Sequence, residues 1–289
     1  MRLWIELIVS GLITGGIYAL VAMGLNLQYG LMRILNVSHG EFLMLGAYLT
    51  YWAHLVTGAS PFVFLPGVLL GLFVIGLVIH RLCFRQLAET TPEVEAFEAR
   101  SLLVGFGLMF LVQNLALLIW GADLRGYEYL AQPVAFAGMQ FTANRLVAFA
   151  CALAFSGGLI LLLRTTLLGK AVRAMMQSPT GARLVGIDVR RLHPAVFGVG
   201  LALAGMAGVL LSMVFEISPS MGEPYTVTAL IVITLGGFGS ITGSLLGGLL
   251  LGVVEALGMH LTSPSLKMVL SYGVFILVLI ARPNGLFTR

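Results

Sequence analysis

The sequence of 289 residues is poor in charged side chains and in cysteine. Asp, Glu, Lys and Arg make up 10% of the residues, whereas a soluble domain carries roughly 25% to cover its surface. Hydrophobic residues account for 59% of the chain, and the mean hydropathy is +1.02. This composition excludes a soluble enzyme, a disordered tail and a collagen-like fibre, and it indicates a protein embedded in lipid. Two cysteines are too few for a disulfide framework.

Signatures of nucleotide and metal sites are also missing. The nearest approach to a phosphate-binding G-x-x-x-x-G-K-[ST] loop is Gly169-Lys170, but Arg164 replaces its first glycine and Ala171 its hydroxyl residue. ATP hydrolysis by this chain is therefore not expected. No H-E-x-x-H pattern or other ligand set accompanies His39, so no metal site is expected either.

The basic residues are concentrated in one stretch. The net charge is +4, and six basic residues lie between two apolar segments: Arg164, Lys170, Arg173, Arg183, Arg190 and Arg191. Such an asymmetry is typical of the cytoplasmic loops of membrane proteins. No basic cluster alternates with base-stacking aromatic residues, so nucleic-acid binding is not expected.

Eight apolar stretches are candidates for membrane spans: 4–29, 38–57, 61–82, 101–120, 145–164, 192–215, 226–259 and 266–281. A spanning helix needs about 20 apolar residues. Backbone groups in lipid must be hydrogen-bonded within the protein, so these stretches are predicted to be helices. The predicted fold class is all-α: a polytopic transmembrane helix bundle of about eight apolar segments, including glycine-broken helices. Residues 1–289 are expected to form one domain.

Counting the crossings predicts an orientation. If the basic stretch 165–191 is cytoplasmic, then residues 121–144 lie outside, residues 83–100 inside, and the N-terminus outside. Arg282 and Arg289 near the C-terminus favour the inside. One segment in the C-terminal half is therefore not a simple crossing, and the long stretch 226–259 is the candidate.

Two breaks interrupt the apolar pattern, one in each half of the chain. The first is 30–41, with polar residues between two apolar runs, and the second is the glycine cluster at 236–240. Corresponding interrupted segments in two halves point to the binding site of a transporter. The residues predicted to line or gate a translocation path are Asn36, Ser38, His39, Gly40, Glu41, Gly236, Gly237, Gly239 and Ser240. The alternative for Glu41 is a hydrogen bond to backbone that the helix break leaves free.

The basic stretch has its own local pattern. Gly169 to Met176 resembles a short helix, Pro179 begins another, and Gly186 follows its end. Proline in a first turn and glycine just past a helix end predict two short helices joined by a turn. An ordinary solvated basic loop is the alternative.

Several motifs occur in order along the chain: Gly11–Leu20, Asn36–Tyr48, Gly169–Ala174, Ala182–Val189, Gly236–Gly243 and Arg282–Phe287. Together they resemble the LivH-type permeases, the membrane subunits of bacterial ABC importers for branched-chain and other hydrophobic amino acids. The second motif is similar to the N-F-A-H-G-E signature of that family, with Val37-Ser38 in place of Phe-Ala.

The resemblance implies a permease of the type II-like importers, in the bacterial inner membrane and without enzymatic activity or a cofactor of its own. It implies four kinds of partner: a second related permease (LivM-like, giving a heterodimer), two cytoplasmic ATPase subunits that bind ATP, an extracytoplasmic substrate-binding protein, and the lipid membrane. The resemblance also implies that the ATPase is coupled through Gly169, Arg173, Ala174, Ala182, Gly186 and Ile187.

Two alternatives remain open from the sequence. Related permeases import urea, amides or aromatic acids, so the substrate class is not fixed. A stand-alone channel or secondary transporter is the alternative in another class. The near absence of intramembrane Asp and Lys disfavours it, because ion coupling usually requires paired charges.

Overall fold

The computed structural model describes residues 2–91, 93–136, 139–282 and 285–287. In chain order, its α-helices are α1 (Arg2–Met32), α2 (His39–Thr57), α3 (Pro61–Ile79), α4 (Arg85–Thr90), α5 (Val94–Trp120), α6 (Ala143–Thr165), α7 (Leu167–Gln177), α8 (Pro179–Leu184), α9 (Val189–Ser212), α10 (Gly222–Gly236), α11 (Ile241–Leu261) and α12 (Lys267–Ala281). A π-helical stretch, His80–Phe84, joins α3 to α4, and a 3-10 turn, Pro264–Leu266, precedes α12. The strands β1 (Pro133–Phe136) and β2 (Met139–Thr142) pair antiparallel after α5.

The prediction of a multi-pass helix bundle is confirmed. In the described ranges, six helical stretches are long and apolar enough to cross a membrane: Leu3–Met32, Pro61–Thr90, Val94–Trp120, Ala143–Thr165, Val189–Ser212 and Ile241–Leu261. All eight predicted apolar stretches fall on helices. The stretch 226–259 is two helices, α10 and α11, which meet at the predicted glycine cluster.

The two segments 83–100 and 121–144, which lie between predicted spans, contain regular secondary structure. Residues 83–90 and 94–100 are helical: α4 ends at Thr90, and α5 begins at Val94. The side chain of Phe84 is buried there, and Arg85 pairs with Glu89 at a distance of 3.0 Å on the exposed side. This i,i+4 pair supports a solvated helical turn. Residues 121–144 contain the β-hairpin, the one sheet among the described residues.

Helices α1 and α9 form the centre of the bundle. Of the 18 most apolar consecutive residues in α9, 83% are buried inside the protein, whereas the corresponding share in α5 is 22%. Helix α5 therefore lies at the periphery. Helix α1 runs antiparallel to α11, and glycines allow the two backbones to approach closely. A Cβ atom on Gly15 would lie 2.6 Å from the carbonyl oxygen of Gly248. Small residues at such crossings are the usual basis of helix packing in membranes.

The bundle has a basic end, which we define as the end that carries α7 and α8. The last turn of α1 lies there, because Met176 of α7 packs over Gly30 and Gly239. The chain also finishes at this end, where the backbone N–H of Leu286 donates to the carbonyl of Leu235 at 2.8 Å. Pro283, Asn284 and Arg289, part of the predicted C-terminal features, lie outside the described residues.

The opposite end carries the β-hairpin and the beginning of α1. Ile13 packs against Met139 and Phe141 of β2, and Ser60 hydrogen-bonds Tyr129 at 2.8 Å. The beginning of α1 and the last described residues, 285–287, therefore lie at opposite ends of the bundle, in agreement with the crossing count. The extra crossing comes from α10 and α11, which together replace one predicted segment.

Candidate functional site

Helix α2 begins inside the bundle rather than at its basic end. The Nε2 atom of His39, in the first turn of α2, lies 3.1 Å from the carbonyl oxygen of Val21 in α1. Val21 precedes Met32, the last residue of α1, by three turns of helix, which corresponds to about 16 Å along the axis. The break after α1 therefore carries the chain back to about half depth before α2 starts.

Helix α10 begins at the same level, and its first turn touches that of α2. The backbone N–H of Gly40 donates to Oγ1 of Thr226 at 2.8 Å. A Cβ atom on Gly222 would lie 2.8 Å from the backbone nitrogen of Glu41. We call the first turns of these two helices, His39–Phe42 and Gly222–Tyr225, the central junction. From it, α2 runs to the opposite end and α10 to the basic end.

The central junction concentrates acidic side chains. Glu41 is 0% exposed, and neither carboxylate oxygen has a hydrogen-bond partner in the described part of the chain. The expected alternative, a hydrogen bond from freed backbone to Glu41, is therefore not observed. Glu223 lies in the first turn of α10 and is exposed. Both acids lie at the positive ends of helix dipoles, which favour negative charge by about 0.3–1 kcal/mol each.

The other predicted residues of the first break are buried as well. Asn36 Nδ2 donates to Gln28 Oε1 at 3.2 Å, and Ser38 Oγ donates to Asn36 Oδ1 at 2.6 Å. Gln28 in turn donates to the carbonyl oxygen of Phe197 in α9 at 3.1 Å. In this conformation, these side chains tie the break to α1 and α9 rather than facing an open path. Their predicted role in gating remains a prediction that requires the junction to move.

Gly40 has a packing role in addition to any role in a gate. A Cβ atom there would meet the backbone of Gly222 and Oγ1 of Thr226. A bulky residue at position 40 is therefore expected to separate α2 from α10 and to destabilise the fold. If Gly40 only gated a path, a bulky residue there would block transport and leave assembly intact. The close packing of Gly40 against α10 does not support that expectation.

The second break is a compact turn at the basic end. Gly237 and Gly239 have positive φ angles of 94° and 79°, a region that side chains with a Cβ rarely adopt. Gly236 packs against the backbone of Gly243, and Ser240 caps α11 by accepting from the N–H of Gly243 at 3.0 Å. The sequence correctly placed this break, and the structure shows closely packed backbone at its centre.

Asn26 of α1 holds this turn and was not identified from the sequence. Its Nδ2 atom lies 3.2 Å from the carbonyl oxygen of Gly237, 3.1 Å from that of Ser240 and 2.7 Å from Ser244 Oγ. Its Oδ1 atom accepts from the N–H of Gly239 at 2.6 Å. A single asparagine thus satisfies the polar groups that the helix break exposes, as membrane-buried backbone requires.

A charged cluster lies beside the central junction. Glu255 of α11 is 2% exposed and accepts hydrogen bonds from Tyr18 at 2.8 Å and from Ser271. Lys267 Nζ, at the start of α12, lies 3.5 Å from Glu255 Oε2. Tyr18 also contacts the ring of Tyr225 in the first turn of α10, with ring centroids 6.3 Å apart. The cluster therefore joins α1, α11 and α12 at the level of the junction.

The basic stretch forms the two short helices that were predicted. Gly169 packs against the backbone of Leu163, Ala182 is buried, and Gly186 has a φ angle of 85° in the turn after α8. Ala174 and Ile187 are half-buried. Arg173 is exposed, and its Nη2 atom donates to the carbonyl oxygen of Arg164 at 3.3 Å.

The tip of α8 carries apolar side chains that no described residue covers. Leu184 is 84% exposed and Val185 is 76% exposed. Both lie at the basic end, beside the exposed residues Arg183 and Arg190. An exposed apolar pair with a basic surround is typical of a protein-binding surface. We call Arg183–Gly186 the α8 tip.

Comparisons with known proteins agree with this arrangement. A family model described as the permease component of branched-chain amino acid transport systems matches residues 7–279. The high-affinity branched-chain amino acid permease BraD of Pseudomonas aeruginosa is 29% identical, over 99% of this chain and 96% of its own length. LivH of Escherichia coli is 29% identical, over 97% of this chain and 94% of its own. LivM of Escherichia coli is 26% identical, over 93% of this chain and 67% of its own length. No solved structure matches.

Proposed function

The chain belongs to the permease-component family of branched-chain amino acid transport systems, and from this premise we propose that it forms half of the translocation pathway of an ATP-driven importer for branched-chain or other hydrophobic amino acids. Similarity over nearly the whole length of BraD and LivH supports this function. The structural observation that carries it is the central junction, where two helices begin at half depth with an acidic residue in each first turn.

The proposed complex contains the partners that the motifs imply. A second related permease, LivM-like, would supply the other half of the pathway, and the similarity of this chain to LivM supports a pair of related subunits. Two cytoplasmic ATPase subunits would bind ATP, because this chain lacks the phosphate-binding loop. An extracytoplasmic binding protein would deliver the substrate. The complex would lie in the bacterial inner membrane, with the basic end in the cytoplasm.

The proposed route of coupling runs through α7 and α10. The α8 tip would bind the ATPase, and Met176 of α7 packs on Gly239 at the end of α10. Helix α10 has 15 residues, or about 22 Å of rise, and its other end is the central junction. ATPase closure can shift the permease between two states only by binding them unequally. A buried polar group without a partner costs about 1–3 kcal/mol. Because the carboxyl of Glu41 is such a group in this conformation, opening of the central junction would relieve that cost, which supports the junction as the part that moves.

The proposed pathway face lies between α10 and α12. A cleft there is lined by both apolar and polar residues, among them Val227, Thr228, Glu255, Lys267 and Ser271. Glu223 is exposed next to it. Exposed polar side chains at membrane depth usually face a partner helix or a water-filled cavity. A zwitterionic amino acid with an apolar side chain needs both signs of charge and an apolar wall, and this face offers all three.

The pathway face predicts the accessibility of Thr228. With Cys83 and Cys151 replaced by alanine, Thr228→Cys in the assembled complex should react with a charged, membrane-impermeant thiol reagent at least about tenfold faster than Leu70→Cys. Leu70 lies on α3 and is 65% exposed, so a cysteine there would face lipid, where thiolate formation is disfavoured. Equally slow labelling of both cysteines would contradict the assignment of this face.

The substrate class is tested by the natural complex. Purification of the chain with its partners should yield a binding protein whose ligands are identified by calorimetry against leucine, isoleucine, valine, urea, simple amides and aromatic acids. The proposal predicts that a branched-chain amino acid binds at least about tenfold more tightly than the other classes, a difference of about 1.4 kcal/mol. Preference for urea, an amide or an aromatic acid would replace the substrate assignment while leaving the permease family intact.

A further inference from the structure

A second cavity lies at the basic end, away from the central junction. Its volume is about 300 Å³, and it is enclosed by the end of α1, the π-helical stretch with α4, the start of α5, and α8 with the first turn of α9. The α8 tip therefore contributes one wall. The proposed pathway does not use this cavity, and the coupling route shares only the α8 tip with it.

The polar lining of the cavity is predominantly positive. Arg85, Arg183 and Arg190 line it together with a single acid, Glu89. Glu89 already pairs with Arg85, whose Nε atom lies 3.0 Å from its Oε1. In the described part of the chain, neither Arg183 nor Arg190 forms an ion pair with a carboxylate. Two guanidinium groups are thus available to an anion.

The buried His80 and the half-buried His193 add unpartnered ring nitrogens to the same lining. His80 is 6% exposed, and its Nδ1 atom has no hydrogen-bond partner among the described residues. His193 Nε2 is likewise buried without a partner there. The ring centroids are 6.2 Å apart, and the planes are nearly perpendicular. A ring nitrogen that carries the proton can donate to an oxyanion, and a buried donor without an acceptor is costly.

The rest of the lining is apolar. Met32, Ile34, Phe84, Phe97 and Val189 form this part of the wall. Leu82, between His80 and Phe84, is 61% exposed on the outer face of the same helix. A ligand that fits would therefore combine an oxyanion with an apolar body.

We propose that this cavity binds the phosphate group of an anionic phospholipid of the leaflet at the basic end, with Arg183, Arg190, His80 and His193 around its oxygens and the acyl chains along the apolar wall. Basic pockets between transmembrane helices on the cytoplasmic side are suited to acidic lipid head groups. Guanidinium groups favour phosphate because they donate two parallel hydrogen bonds. Bound lipid would connect α8 to the π-helical stretch and would therefore stabilise the position of the α8 tip.

The proposal is tested on the assembled complex by native mass spectrometry with added phosphatidylglycerol or phosphatidylcholine. We expect phosphatidylglycerol to bind at one site in this chain at least about tenfold more tightly than phosphatidylcholine. Arg183→Gln with Arg190→Gln should remove that difference, and His80→Phe with His193→Phe should reduce it. The matched control is Arg164→Gln with Arg191→Gln. It removes the same net charge from exposed arginines at the same end that do not line the cavity.

Four outcomes would overturn the proposal. The first is equal binding of the two lipids, and the second is unchanged preference in the Arg183/Arg190 variant. Displacement of the lipid by inorganic phosphate at equal concentration would instead assign the cavity to a small soluble anion. Loss of lipid on addition of the ATPase subunits would assign both arginines to the ATPase contact. None of these outcomes depends on which substrate the complex transports.

Discussion

A complex that carries Leu184→Ser and Val185→Ser is expected to lose its ATPase subunits and with them ATP-driven uptake. These two side chains are the most exposed apolar residues of the α8 tip, and the proposed coupling route requires the ATPase to cover them. Burial of an apolar side chain of this size contributes about 1.5 kcal/mol or more. The double change should therefore weaken ATPase binding by about 3 kcal/mol, or roughly 100-fold.

The measurement is retention of the ATPase on the immobilised permease, together with leucine uptake by proteoliposomes. Leu167→Ser with Leu168→Ser is the matched control, because this pair at the start of α7 is also highly exposed, at 82% and 69%, but lies outside the α8 tip. We expect the control to keep both activities. If the tip variant retains the ATPase and transports at the rate of the unmodified complex, the tip is not the coupling surface.

Asn26→Leu is expected to reduce the stability of the fold markedly. Leucine has a similar volume but can neither donate to the carbonyl oxygens of Gly237 and Ser240 nor accept from the N–H of Gly239. Each buried group left without a partner costs about 1–3 kcal/mol. Because several are affected, the free energy of unfolding should fall by about 2 kcal/mol or more, which corresponds to a decrease in Tm of roughly 5 °C.

Thermal unfolding of the purified chain in detergent measures this effect. The control is Asn114→Leu on α5, since Asn114 is exposed and, among the described residues, its side chain donates only to the carbonyl oxygen of Phe110 in its own helix. We expect the control to change Tm by less than about 2 °C. If the Asn26→Leu variant unfolds at the same temperature as the control, the stability of the turn after α10 does not depend on Asn26.

The sequence predicted local features more reliably than distant contacts. The breaks at 30–41 and 236–240 were located correctly, since glycine and polar residues inside apolar runs are local signals. The partners of those breaks were not predicted. Asn26 is an isolated polar residue in a long apolar helix, and no motif connects it to a turn more than 200 residues away in the chain.

The depth at which α2 and α10 begin in the bundle also could not be predicted from the sequence. The motif around His39 suggested residues that line a path, but only the contact between Gly40 and the start of α10 shows that two first turns meet at half depth. The helix at 85–90 was not predicted, because the charged residues of 83–100 indicated only a hydrophilic segment between two spans. In the structure, those charges lie on the solvated side of a helix whose other side buries Phe84.

The most direct test of the account is leucine uptake by proteoliposomes that contain this chain with its LivM-like partner, the ATPase subunits and the binding protein. The account predicts that uptake requires ATP hydrolysis and stops when either the ATPase subunits or this chain is omitted. Leucine uptake by the purified chain alone, without ATPase subunits or ATP, would contradict it and would favour a stand-alone channel or secondary transporter.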